Sequence, residues 1–369
     1  MVNASPGTND AAAGGSPSAA DRPPGAAASA DGDAPDAQQQ SVTTWDGFQA
    51  FATTPMAAPP PPGAPPRSLA ERLAYHSRFV TVRTPAIDTL AKNVRTLMIL
   101  GRHQTVTARP SLIVTGPAGA GKTTALLQVG RACHLAHTRR HGPTAAAGQV
   151  PVAYVLVPPA ASAKTLATEF ARYLGIPVAA GMSQAQITNS VCHTYTTAGV
   201  QLVMIDEVHR LNPRTTSGAQ TADLLKDLTE RIGATFVYAG IDVTTTPLFT
   251  GVRGAQLAGR ASLIDCAAFP ARLGDSEPFR DLVKAMESAL DLRHHRPGTL
   301  PQLAPYLHER TAGRIGSLAR LIRQAAITAL IDGTERITKT TLEAIRLDHL
   351  AEQHYRPHHR PRNRSTSTP

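Results

Sequence analysis

Eight consecutive residues constrain the fold of this chain more than any others: Gly116-Pro117-Ala118-Gly119-Ala120-Gly121-Lys122-Thr123. They fill every fixed position of the pattern G-x-x-x-x-G-K-[ST]. They also stand where that pattern has physical meaning, after the apolar run Leu112–Thr115 and before a stretch of helical periodicity from about 122 to 135. Glycines let the backbone curl until successive N–H groups face one point, and the helix behind them adds the positive end of its dipole. Such a loop cradles phosphate. The backbone of Gly116, Pro117, Ala118, Gly119, Ala120 and Gly121 is expected to wrap a nucleoside triphosphate. Lys122 then reaches its β- and γ-phosphates, the Thr123 hydroxyl coordinates Mg²⁺, and Thr124 meets the α-phosphate.

The other half of such a site is expected farther along the chain. Leu202-Val203-Met204-Ile205 reads as a buried central strand and ends in Asp206-Glu207. A carboxylate at that strand end can hold Mg²⁺, and a second one beside it can polarise an attacking water, which in-line phosphoryl transfer requires. Glu207 in place of an apolar residue favours a hydrolase over a passive nucleotide binder. Asp206-Glu207-Val208-His209 also spells the D-E-x-H box of helicases, but the chain has no room for a second RecA-like domain.

Around these motifs, short apolar runs at Leu112–Thr115, Val152–Val157, Leu202–Ile205, Phe236–Ala239 and Ala261–Ile264 alternate with helical patterns. This alternation predicts an α/β fold, a three-layer, mostly parallel sheet. Ser68-Leu69-Ala70-Glu71 reads as a capping box opening a short helix, and a second helix is expected from about Pro85 to Leu100. After Phe269-Pro270 only helical patterns follow, the last over 338–353. The expected organisation is a disordered Ala/Pro-rich arm over 1–66, a nucleotide-binding α/β domain over 67–269, a helical lid over 270–353 and a basic disordered tail over 354–369. The arm has too few large apolar residues to offset the entropy of ordering it. It contains one aromatic island, Trp45-Asp46-Gly47-Phe48 with Phe51, which reads as a docking motif or as the fringe of the first helix.

Charge divides along the same boundary. Residues 1–66 hold six aspartates and one arginine, net −5, so the rest of the chain carries +15 of an overall +10. A body that basic points to a polyanionic partner, with nucleic acid first. Cys133, Cys192 and Cys266 lie far apart without C-x-x-C spacing, against a disulfide framework or a zinc site. The opening residues show no basic and apolar leader pattern, and no run of eighteen apolar residues occurs. A cytoplasmic protein with no membrane partner is therefore expected.

With both motifs placed, the region from about Leu69 to Leu350 resembles the AAA+ ATPases of DNA transposition, the TniB/TnsC group, with Mu B and the IstB helpers as cousins. The resemblance rests on Tyr75-His76-Ser77-Arg78-Phe79-Val80-Thr81, on the two phosphate-site motifs with Ile205 to Leu211, and on the stretch from Thr311 to Leu321. It implies a P-loop (AAA+) domain with a helical lid, ATP and Mg²⁺ as ligands, and slow, regulatory hydrolysis. It further implies non-specific binding of double-stranded DNA, self-assembly into a ring or helical filament, and delivery of target DNA to a transposase. A neighbouring subunit would supply an arginine finger, with Arg260 the candidate and Arg253 the alternative. Lys164 and Arg172 fall in the region that lines the inner face of such assemblies. Two positions depart from the pattern. Gly240 stands where AAA+ proteins place a polar sensor, leaving Asp242 or Thr244, and Gly316 stands where a lid arginine is common, with Arg314 and Arg320 nearby. A STAND-like signalling ATPase with a protein partner and a helicase loader are the competing readings.

Overall fold

The structure, a computed structural model, describes residues 41–61, 63–78, 81–103, 109–211, 216–246 and 248–355, with the backbone alone for 103, 216–219 and 251–253. Among the described residues, five strands form one sheet: β1 (Ser111–Thr115), β2 (Val152–Leu156), β3 (Leu202–Asp206), β4 (Thr235–Ala239) and β5 (Ala261–Asp265). They pair in the order β2-β3-β4-β1-β5, every pair parallel, with Leu112 opposite Val237 on one side and Ser262 on the other. Of the three inner strands, β3 and β4 are buried along their whole length and β1 along all but its last residue, as expected of a parallel sheet covered on both faces. All five apolar runs identified in the sequence are strands.

Three helices precede the sheet: α1 (Trp45–Thr53), α2 (Leu69–Ser77) and α3 (Pro85–His103). Between strands lie α4 (Lys122–His141), the single turn α5 (Pro143–Ala146), α6 (Ala163–Tyr173), α7 (Gln184–Thr197), α8 (Thr216–Arg231) and α9 (Gly251–Ala258). After β5 come α10 (Pro278–Ser288), α11 (Thr299–Gln302), α12 (Ala304–Thr311), α13 (Ile315–Ile331), α14 (Lys339–Ala344) and α15 (His349–His354). These last six close a second apolar core around Phe279, Leu307, Leu318, Leu321 and Leu342, separate from the core that surrounds the sheet. Among the described residues no helix is long and apolar enough to cross a membrane.

The chain departs from the sequence reading in four places, each with a local cause. The arm expected to stay disordered through residue 66 contains α1. Thr44 caps it by accepting from the Gly47 N–H, and Phe48 and Ala52 are fully buried against the sheet domain. Gly130 on α4 makes this possible, because a Cβ there would stand 3.0 Å from the Phe48 ring and 2.5 Å from the Met204 methyl. The aromatic island is thus docked within its own chain. Residues 1–40 lie outside the described residues, as do 356–369 of the expected tail.

The second difference concerns α2, which sequence order places with the α/β domain. Its capping box forms as predicted, with the Ser68 N–H donating to Glu71 at 2.7 Å and the Glu71 N–H to Ser68 Oγ at 3.2 Å. The helix, however, packs on the lid. Arg72 grips Glu335 through two bonds of 2.6 and 2.9 Å, and the Tyr75 hydroxyl donates to the Ala289 carbonyl at 2.7 Å. From α13, Arg323 donates to the carbonyls of His76 and Ser77. Third, the helix expected over 338–353 is two helices. The Asp348 carboxylate accepts from the Ala351 N–H and from Ser317 Oγ, which starts a new helix and anchors it to α13. Fourth, α9 was not anticipated, because its glycines weaken a helical pattern. Gly254 is there for proximity, since a Cβ would meet the Phe249 backbone at 2.6 Å.

Candidate functional site

The octet follows β1 and forms a loop whose conformation only glycine tolerates at three points. Gly116 has φ 144°, and a Cβ there would strike the Cys266 carbonyl at 2.2 Å; Gly119 and Gly121 have φ 74° and 89°. Gly121 is the N-cap of α4, so the helix starts at Lys122 with its free N–H groups turned toward the loop. β1 lies between β4 and β5, so the connections that leave and re-cross it open a crevice at its carboxyl end, where parallel sheets bind ligands.

That crevice is a cavity of about 410 Å³. Its walls are the loop from Ala118 to Thr124, Thr81 to Ile87 ahead of and within α3, Glu207 and Ile241 at the ends of the central strands, and Ile315, Gly316 and Ala319 of the lid. The lid touches the loop directly. The Gly316 N–H donates to the Gly119 carbonyl at 2.8 Å, and a Cβ on residue 316 would stand 2.9 Å from that same oxygen. No side chain of any kind fits at 316, which explains the glycine where a lid arginine was looked for. Arg314 is instead buried and donates to the Leu350 carbonyl, while Arg320 faces solvent.

Inside the cavity Lys122 curls back over its own loop, Nζ donating to the Gly116 and Pro117 carbonyls at 2.8 Å each. Burial pushes its ammonium pKa down, with the Asp206 and Glu207 carboxylates opposing. Asp206 is fully buried and fully bonded. Its Oδ2 accepts from Thr123 Oγ1 at 2.6 Å and from the Tyr154 hydroxyl at 3.0 Å, and its Oδ1 accepts from the Glu207 N–H at 2.8 Å. Burial, with Asp206 beside it, raises the Tyr154 hydroxyl pKa well above its ordinary value, so it stays a donor. Tyr154 was not singled out in the sequence, since an aromatic within a strand reads as core. The separation of 83 positions between Thr123 and Asp206 is thus closed to one hydrogen bond.

Glu207 follows β3 in the left-handed region, φ 63°, and Asp242 follows β4 likewise, φ 45°. An L-residue held there carries about 1–2 kcal/mol of strain, of the kind found at functional sites. The Glu207 carboxylate meets Arg210 Nε at 3.1 Å and His209 Nε2 at 3.4 Å, both at Oε2. Hard oxygen donors, the Thr123 hydroxyl and the Asp206 carboxylate, stand side by side at the phosphate loop, a donor set that suits Mg²⁺.

The remaining candidates lie elsewhere. Arg260 precedes β5, at the amino end of the strands, whereas the cavity lies at their carboxyl end, and it pairs with Glu230 at 3.4 Å. The Arg253 side chain lies outside the described residues. Lys164 is exposed at the start of α6, and Arg172 near its end pairs with Glu169 and reaches Thr43 Oγ1 at 3.4 Å; neither lines the cavity.

A parallel sheet in this order, a phosphate loop after β1, paired acids after β3 and a helical lid against the loop define a P-loop NTPase of the AAA+ class. The family model for the bacterial TniB protein matches residues 72–262, just over half of the chain, and the chain belongs to that family. No curated protein matches it. Among solved structures it is similar to the ORC2 protein of Aeropyrum pernix, in ADPNP–ADP complexes, with 16% identity and a TM-score of 0.53 over 71% of this chain and 67% of that one. The ORC1 protein of Aeropyrum pernix in complex with DNA aligns at 17% identity and TM-score 0.51, over 73% of this chain and 65% of that one. Drosophila ORC bound to DNA gives 14% and 0.51, over 81% and 71%. The chain thus spans about two thirds of the length of these proteins, and identities this low carry the fold alone.

Proposed function

We propose that this protein binds and slowly hydrolyses ATP, and in its ATP state assembles on double-stranded DNA to deliver target DNA to a transposase. One observation carries the nucleotide half of this reading: Lys122, Thr123 and Glu207, from two distant parts of the chain, line one loop-walled cavity against the lid helix, and Asp206 is bonded to Thr123 behind its wall. Lys122 exchanges its two loop carbonyls for the β- and γ-phosphates. Thr123 and Asp206 hold Mg²⁺, which when bound neutralises charge on those phosphates. Glu207 accepts a proton from the attacking water as that water bonds to the γ-phosphorus and the bridging P–O bond to ADP breaks. Arg260 serves the nucleotide of a neighbouring subunit, since its own cavity lies at the other end of the strands. Slow turnover follows from Gly240 and Gly316, which supply no polar group to the phosphates.

The DNA half rests on the +15 charge of residues 67–369, on membership of the TniB family, and on the fold shared with proteins solved on DNA. Lys164 and Arg172 are its candidate phosphate contacts, with Arg172 already partly neutralised by Glu169. Sedimentation of the full chain with random duplex DNA, in ATP or ADP and at two salt concentrations, tests the proposal. Large assemblies that need both DNA and ATP, weaken with salt and vanish in Lys122→Ala are expected. Assemblies formed with ATP but indifferent to DNA would replace this reading with a signalling switch that has a protein partner.

A further inference from the structure

The turn after β4 has no polar side chain at residue 240, yet it is pinned from both sides. The Val243 N–H donates to Thr115 Oγ1 at 3.2 Å, the last residue before the phosphate loop. On the other side the Ile241 N–H donates to His209 Nδ1 at 3.2 Å. An imidazole nitrogen that accepts an N–H bond carries no proton, so the ring proton resides on Nε2, which stands 3.4 Å from Glu207 Oε2. One ring therefore bridges two cavity-lining elements, the backbone of Ile241 and the carboxylate of Glu207, from behind the cavity wall.

Gly240 is part of the same feature. A Cβ on it would lie 3.0 Å from His209 Nδ1 and 3.2 Å from the His209 backbone N. A sensor side chain at 240 and the His209 ring compete for the same space. The missing sensor and the histidine of the D-E-x-H string are one arrangement seen from two places in the sequence.

We propose that His209 is a positioning residue that couples the β4 turn to Glu207, transmitting the state of the phosphate-facing turn to the group that accepts the water proton. This deepens the reading of Glu207 as the base and rests on it. His209 Nε2 and Arg210 Nε both engage Oε2, so the proton-accepting role falls to Oε1, and the carboxylate's orientation depends on both anchors. The ring acts through Glu207 and touches no reacting atom.

Two substitutions separate its two contacts, the bond from Ile241 and the approach to Glu207. His209→Asn keeps an acceptor near the Nδ1 position for Ile241 and loses the donor to Glu207. His209→Gln places an amide N–H near the Nε2 position and loses the Nδ1 acceptor. Phosphate release and binding of a fluorescent ATP analogue are measured on the full chain for the parent, both variants and Glu207→Gln. Coupling predicts that kcat falls about tenfold or more in both His209 variants, while KM and analogue affinity stay within about twofold. A merely structural ring would tolerate the loss of one contact, so parental kcat in either variant overturns the proposal and leaves Glu207 intact. If Glu207→Gln turns over like the parent, or the parent shows no turnover, the base assignment fails and the coupling with it. Independently of turnover, long-range ¹H–¹⁵N correlation of the imidazoles, with His209 assigned from the His209→Asn spectrum, reports the tautomer. The Nε2–H form is expected, and the Nδ1–H form overturns the proposal.

Discussion

Helix α1 offers a sharp test of the packing argument, because it holds the chain's one tryptophan and is too short to persist alone. A nine-residue helix in water is far below the length at which isolated helices become stable, so α1 exists because it is docked. Its anchor is Phe48, fully buried over Gly130 and Met204, while the Trp45 ring stands edge-on to His134 with centroids 5.5 Å apart. Phe48→Ala removes that anchor at a cost of about 3–5 kcal/mol, which shifts the docking equilibrium by about two to four decades. Because α1 lies at the periphery of the core, this loss is expected to release the helix ahead of global unfolding. The assay is Trp45 emission and acrylamide quenching in native buffer, beside thermal melting followed by circular dichroism. Red-shifted emission and easier quenching at temperatures where the sheet domain is intact, with little change in Tm, are expected. If Trp45 stays shielded while Tm drops by several degrees, α1 belongs to the cooperative core and its treatment as a separable clasp is wrong.

Two further predictions concern the lid. The two bonds from Arg72 hold the Glu335 carboxyl down to a pKa of about 2, below the ordinary 4.5, so its contribution to stability is complete above about pH 4.5 and is lost as pH falls toward 2. The stability difference between the parent and Glu335→Gln, measured by urea denaturation, should therefore shrink steadily from pH 5 to pH 2.5; a pH-independent difference refutes the ion pair. Arg72, only 3% exposed at its side chain, is left unpaired in Glu335→Gln, so the double variant Arg72→Met/Glu335→Gln should be more stable than that single one. Gly316→Val inserts a side chain where a Cβ already stands 2.9 Å from the Gly119 carbonyl, prising α13 off the phosphate loop. ATP affinity, read by equilibrium binding of a fluorescent analogue, should fall about tenfold or more, equivalent to roughly 1.4 kcal/mol, with Gly316→Ala intermediate; unchanged affinity shows that the contact plays no part in binding.

The parts of this molecule that were legible in the sequence are those with a period or a fixed spacing. The five strands announced themselves as apolar runs between helical patterns, and the phosphate loop as closely spaced glycines, Gly116, Gly119 and Gly121, that take positive φ. The pairing of Thr123 with Asp206 followed from the placement of both motifs at strand ends. What stayed hidden depends on contacts between distant segments. Nothing local distinguishes Phe48 from an aromatic in a disordered arm; its burial depends on Gly130, 82 residues later. Tyr154 carries no signal beyond a strand aromatic, because its hydroxyl acts on a carboxylate that only the β2–β3 pairing brings near. The assignment of α2 failed for a related reason: chain order placed it with the sheet, whereas Arg72 and Tyr75 found their partners at Glu335 and Ala289.

That last placement has a mechanical consequence for the cavity. α2 is fastened to the lid, α3 packs against the sheet, and residues 81–84 ahead of α3 form part of the wall of the nucleotide cavity. A swing of the lid relative to the sheet therefore acts on the wall residues Thr81, Val82 and Thr84. A second crossing runs the other way, since the segment between α1 on the sheet domain and α2 on the lid spans residues 54–68. Arg131 on α4 donates to the Thr54 carbonyl at 3.1 Å at its start, and Arg67 binds Asp291 at 3.4 Å near its end. Displacement of the lid moves one end of this segment while α1 and Arg131 hold the other. The nucleotide cavity and the docking of α1 are thereby joined through one covalent path, and a lid displaced from the phosphate loop in Gly316→Val should make Trp45 more accessible even though α1 lies outside the cavity wall.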